Sequence, residues 1–180
     1  MKKQLIATLV GGVLLFFWQF LSWTALNVHG AEFTYTPNEG KILEALSQNL
    51  PASGQYMVPT LPPDATPEQQ EAMMKDVGSK PWATISYHTS FNTNMGMNMI
   101  RGILVDFVCV FLLVWLLLKF QNLNFETTLL SSLAVGIIGY LTISYTNTVW
   151  FETNSIGYLV DAVVGWGLVG AWLGWWLNKK

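Results

Sequence analysis

The chain has 180 residues, of which 52% are hydrophobic, 14% aromatic and only 11% charged. A soluble domain of this size carries roughly a quarter charged residues; here the deficit is concentrated in four long apolar runs, which marks an integral membrane protein. The net charge of -2, with no basic stripe, argues against a nucleic-acid partner, and the single cysteine, Cys109, lies inside an apolar run and allows no disulfide within one chain.

The first run, Leu5 to Leu26, follows Lys2 and Lys3. Val28-His29-Gly30 offers small residues for signal-peptide cleavage before Ala31, but the apolar part of a signal peptide is about 7–15 residues long. This run is about 22 residues long and carries Phe16, Phe17, Trp18 and Trp23. About 20 residues span a bilayer, so residues 1–27 are expected to be an uncleaved membrane helix.

Residues 28–98 are polar and domain-like. Asn38 to Leu50 places Ile42, Leu43, Leu46 and Leu50 on one helical face, with Asn38 as its cap and Pro51 as its stop. Gln55 to Val58 reads as a strand. Thr66-Pro67-Glu68-Gln69 has the capping-box pattern, with proline at the first helical position, and predicts a helix to about Val77. Trp82 to His88 reads as a second strand and Phe33 to Thr36 as a further candidate. The result is a small α+β insert, marginal alone and expected to pack on the membrane helices.

The remaining spans are expected at about 99–118, 127–147 and 155–177, joined by loops at Lys119–Glu126 and Thr148–Asn154. The fold class is therefore a membrane all-α bundle of four helices with an α+β insert after the first. Lys2, Lys3, Lys119, Lys179 and Lys180 fall on one side, and the loop at Thr148–Asn154 carries no basic residue. The positive-inside rule then puts both termini in the cytoplasm and the insert outside.

The second span, Ile100 to Lys119, is apolar enough to cross a membrane yet holds Arg101 and Asp106. An ionised carboxylate in hydrocarbon costs several kcal/mol unless it is paired, so such residues are rare and face protein or water. Counted from the outer ends of their spans, Asp106 and Asp161 fall at similar depth, roughly 9–10 Å inward. Gln19, Ser22, Tyr140 and Ser144 reach about that level, with Asn147 one turn higher. These groups predict a polar layer in the outer half of the bundle, in which Arg101 and the hydroxyls satisfy the aspartates. The competing readings are a proton or ion site and a docking point for a partner's basic residue.

Gly157, Asp161 and Gly165 share one face of the fourth span at four-residue spacing. Gly170 and Gly174 form a G-x-x-x-G pattern that permits close helix approach, either internal or between chains. Trp166, Trp172, Trp175 and Trp176 are expected at lipid headgroups or a neighbouring chain. Met95, Met97 and Met99 with His88 are weak copper(I) ligands on grounds of softness, against simple interfacial packing. His29 lacks metal-ligand spacing and is assigned a surface or hydrogen-bonding role. No phosphate loop, nucleophile elbow, metalloprotease helix or nucleotide fingerprint occurs, so no cofactor and no enzymatic activity are expected.

The order of short motifs carries a resemblance. It runs from a first span ending Phe-Leu-Ser-Trp through Pro37-Asn38-Glu39, Gly54-Gln55-Tyr56-Met57-Val58-Pro59 and Lys80-Pro81. It then reaches Arg101-Gly102, Gly157-Tyr158 and Asp161 with Gly165-Trp166. The chain resembles a group of small bacterial inner-membrane proteins with four spans and an external insert. The resemblance implies an inner-membrane location and brings no assigned activity. The leading expectation is a non-enzymatic accessory or scaffold protein in the lipid bilayer that binds another membrane protein or a second copy. A small transporter or channel using the two aspartates comes next, and a periplasmic copper-handling protein third.

Overall fold

The computed structural model describes Lys2 to Lys179. Lys180, one of the basic residues used for orientation, lies outside the described residues. In chain order the elements are α1 (Lys2–Thr24), α2 (Glu39–Asn49), β1 (Gly54–Val58), α3 (Pro67–Asp76), β2 (Ala83–Tyr87), α4 (Met95–Leu117), α5 (Phe125–Gly139), α6 (Thr146–Phe151) and α7 (Ile156–Asn178). A π-helical segment, Tyr140–Tyr145, joins α5 to α6 without interruption. Four helices are long and apolar enough to cross a membrane: α1, α4, the continuous stretch Phe125–Phe151, and α7. The chain divides into two compact units, with the boundaries of the second at Tyr35 and Thr93.

In the unit containing the long helices, α7 packs against both α1 and α5, and α1 packs against α4. Hydrocarbon provides no hydrophobic drive between such helices, so close fit of small residues has to supply the attraction. The glycines show this. A Cβ on Gly12 would stand 2.3 Å from the Phe107 ring, and one on Gly11 2.8 Å from Val110, so α1 and α4 approach on glycine. Gly165 receives Leu15 and Trp18 of α1, whereas Gly170 meets Ser132 and Leu129, and Gly174 meets Phe125, all of α5. The G-x-x-x-G face is thus filled from within the chain. Leu15, Val110, Leu113, Val114, Leu117, Val169 and Leu173 form the buried apolar cluster between these contacts.

The expectation changes for three of the four tryptophans. Trp172 and Trp176 donate their indole N–H groups to the carbonyls of Ala7 (3.2 Å) and Lys3 (2.9 Å), so they tie α7 to α1. Trp166 packs at Gly136 of α5. Trp175 keeps the exposed position, with the Lys179 ammonium 4.9 Å from its ring centroid.

Span boundaries shift as well. α4 begins at Met95 rather than Met99, because the Asn94 side chain caps it by accepting from the Met97 N–H at 3.1 Å. The third helical stretch runs on to Phe151, absorbing half of the expected Thr148–Asn154 loop. Hydroxyl groups compete there for backbone acceptors: Thr142 Oγ1 donates to Ile138 O and Thr146 Oγ1 to Leu141 O. Such competition loosens the regular ladder and accompanies the π turn.

In the unit Tyr35–Thr93, β1 and β2 form an antiparallel pair from Gly54 opposite Tyr87 to Val58 opposite Ala83. The Thr66–Gln69 capping box forms as the sequence requires. Asn38 occupies the cap position of α2 but its side chain makes no cap bond, and Phe33–Thr36 forms no strand. No residue of this unit is buried. Its helices follow local signals, its two strands pair across the stretch that holds α3, and together they enclose no core.

Candidate functional site: a buried histidine and two separated aspartates

The residues after α1 build the site. Asn27 adopts a left-handed conformation (φ 50°), which asparagine tolerates better than most residues. Val28 N–H bonds back to Ser22 O, Gly30 N–H to Asn27 O, and Glu32 N–H to His29 O. This tight reversal returns His29 over the end of α1, where only 5% of it remains exposed. Its ring stacks on Trp23 (centroids 3.9 Å apart, 8° between planes) and meets Tyr158 edge-on at 5.0 Å.

Both imidazole nitrogens face carboxylates. Nε2 lies 2.9 Å from Asp161 Oδ2 and 3.1 Å from Ser22 Oγ, and Nδ1 contacts Glu32 Oε1. An ionised carboxylate only accepts, so a ring with N–H on both nitrogens satisfies both partners. Burial pulls the His29 pKa down, but the bonds to Glu32 and Asp161 outweigh it and hold the imidazole above its ordinary value. Asp161 takes two further donors on Oδ1, Trp18 Nε1 at 3.0 Å and Ser22 Oγ at 2.6 Å. Gly157 makes the approach possible. A Cβ there would come within 2.7 Å of His29 Nδ1 and 3.0 Å of Glu32 Oε1, so this glycine receives the His29 loop, not another helix.

Ser22, His29 and Glu32 share the connectivity of a hydrolase triad: hydroxyl at Nε2, carboxylate at Nδ1. The chemistry does not follow. Ser22 is wholly buried and gives its proton to Asp161, whose other oxygen already occupies Nε2. The cluster is built to hold a charge between elements.

Asp106 is treated differently. It is buried, and Gln19 Nε2 donates to its Oδ1 at 3.3 Å, while Oδ2 has no hydrogen-bond partner among the described residues. Arg101 does not pair with it. Five residues along a helix turn the side chain by about 140°, and Arg101 is exposed with no ion pair among the described residues. Both aspartates therefore turn toward α1, one meeting Gln19 and the other Trp18 and Ser22. The expected layer exists as two separate arrangements on neighbouring stripes of α1.

Tyr140 and Ser144 approach this level: with Gln19, Tyr158 and Asp161 they line a cleft of about 350 Å³. Neither bonds an aspartate; the Tyr140 hydroxyl pairs with Ser155 Oγ at 3.2 Å. Asn147 lies elsewhere, donating to Thr153 Oγ1 and lining a larger cleft of about 690 Å³ with Glu32, Glu152 and Tyr158. On the other flank of Asp161 a cleft of about 630 Å³ is walled by Phe16, Phe20, Trp23, Met95 and Met99.

The three methionines among the copper candidates do not share one helical face. Met95, Met97 and Met99 are helical, so Met95 and Met99 share a face and Met97 points about 160° away from either. His88 belongs to the other unit, where its Nε2 lies 3.3 Å from Ser86 Oγ. Among the described residues no group of three or more His, Cys, Asp or Glu side chains could hold a metal ion.

The class that fold and site define is a protein with four candidate membrane-spanning helices and a buried, charged clasp at the end of the first. Compared with known proteins, the chain matches no family model, no curated protein and no solved structure.

Proposed function

We propose that the protein is a bacterial inner-membrane protein, a four-helix bundle with both termini in the cytoplasm and the Tyr35–Thr93 unit outside, acting as a non-enzymatic accessory or scaffold for another membrane protein. The observation that carries this reading is the unit Tyr35–Thr93 itself. It forms two helices and a hairpin yet buries no residue, and Leu43, Met74 and Phe91 are 60%, 73% and 87% exposed. A folded element without a core of its own gains stability by covering apolar side chains against a partner. The glycine faces of α7 are already occupied by α1 and α5, which turns the expected docking away from them and toward this unit.

Purification from the native membrane in mild detergent tests the reading. The expected result is a discrete complex containing a second, different membrane protein. Replacing Ile42 and Leu43 by aspartate should dissolve that complex while the helices still insert. A clean monomer or homo-oligomer that supports proton-dependent flux in liposomes would instead favour a small transporter.

A further inference from the structure

Asp106 and Asp161 lie within about one turn of each other along α1, because their partners Gln19 and Ser22 are three residues apart, or about 4.5 Å. Their surroundings are opposite. Asp161 receives an indole N–H, a hydroxyl and an imidazole, one of its oxygens taking two donors and the other the imidazole. Asp106 receives one neutral carboxamide at the long end of hydrogen-bonding range, and its buried Oδ2 receives nothing.

Among the described residues no cation pairs with it. From α1 the facing group is Gln19, and Lys3 stands sixteen residues away, about 24 Å along the helix. The ionisable residues of α5 and α7 are Glu126, near the other end of the third span, Tyr158 and Asp161. On α4 itself Arg101 is turned away and exposed, and one turn beyond Asp106 stands Cys109. The positive charge of His29 is shared by Glu32 and Asp161. A neutral carboxylic acid fits these surroundings: its carbonyl oxygen accepts from Gln19 and its hydroxyl requires far less solvation than a charged oxygen.

We propose that Asp106 is a proton-binding site within the second span, carried as the neutral acid at neutral pH. The assignment is independent of the accessory reading and of any partner. Gln19 also lines both clefts that flank Asp161, so the bound proton sits one side chain from each.

Infrared spectroscopy of the full chain in lipid at neutral pH, with aspartate carboxyls labelled with carbon-13, tests it. The chain has four aspartates, Asp64, Asp76, Asp106 and Asp161. The expected spectrum shows one protonated labelled carboxyl. That band should vanish in Asp106→Glu, which keeps the acid but removes the label, and persist in Asp161→Asn. Asp106→Asn, isosteric with the neutral acid, should raise the unfolding midpoint at neutral pH, because the unfolded aspartate ionises and the asparagine does not, and makes the same band assignment if the glutamate variant does not fold. A wild-type spectrum with all four aspartates ionised, or a protonated band that survives both Asp106 variants, would overturn the proposal.

Discussion

The Glu32–His29–Asp161 clasp makes a quantitative prediction about pH. His29→Gln removes the cation while keeping a side chain able to hydrogen-bond, and leaves two carboxylates whose side chains are only 8% and 17% exposed. Removing one partner of a buried ion pair costs about 3–5 kcal/mol. Asp161 keeps Trp18 and Ser22 as donors, so the expected loss is near the lower end, about 3 kcal/mol. The sign of the pH dependence follows from the raised pKa of His29. The unfolded chain titrates its histidines near 6.5, so the clasp contributes fully below about that pH. As pH rises through the higher folded value, the native ring loses its second proton and that contribution disappears. Each unit of separation between the two values is worth about 1.4 kcal/mol. Unfolding in detergent from pH 5 to 9, followed by tryptophan fluorescence, should therefore show wild-type stability falling above about pH 6.5. The fall should be smaller in His29→Gln by the clasp's share, leaving the slope that a protonated Asp106 itself contributes. A wild-type profile that is flat across this window, or a slope that the substitution leaves unchanged, would refute the clasp.

Three further outcomes are expected. Gly170→Ala should destabilise by about 1–3 kcal/mol, since its Cβ would meet Ser132 and the backbone of Leu129. Gly167→Ala, which meets only Leu133 at 3.6 Å, should change little, and chemical crosslinking between chains should be the same for both variants. Gly157→Ala should displace His29 and Glu32, read as loss of the clasp's share of the pH slope and as increased exposure of the imidazole to modifying reagents. Glu152→Gly should stabilise by about 0.5–1 kcal/mol, because Glu152 caps α6 in the left-handed region (φ 53°), where glycine carries no Cβ penalty.

Local signals were legible where they act within one turn of helix. The Thr66–Gln69 capping box formed because every atom in it lies within four residues of every other. The Asn94 cap of α4 obeys the same chemistry, but the run Met95 to Met99 reads as interfacial until the cap is seen to bond Met97. The strand expected at Phe33–Thr36 failed because its neighbours, Ala31 to Thr34, follow the turn that seats His29 and Glu32. The sequence assigns His29 a surface or hydrogen-bonding role and gives no hint of its partners. Its one sequence clue, a glutamate three residues on, is common in turns and points to nothing specific.

Four apolar runs of bilayer length, their order, and the polar stretch after the first are properties of the sequence alone. Hydrocarbon demands about 20 apolar residues per helix and internal pairing of every backbone group, and both demands act locally. The rotation of each helix about its axis is different, because it depends on which small residues admit which neighbours. That rotation turned Gly170 and Gly174 toward α5 and placed α1 against both aspartates. It also brought His29 to Asp161 across 132 residues of chain. A contact at that separation exists only once α1 and α7 have packed, so only the tertiary structure could decide which aspartate is paired and which is left with a single amide.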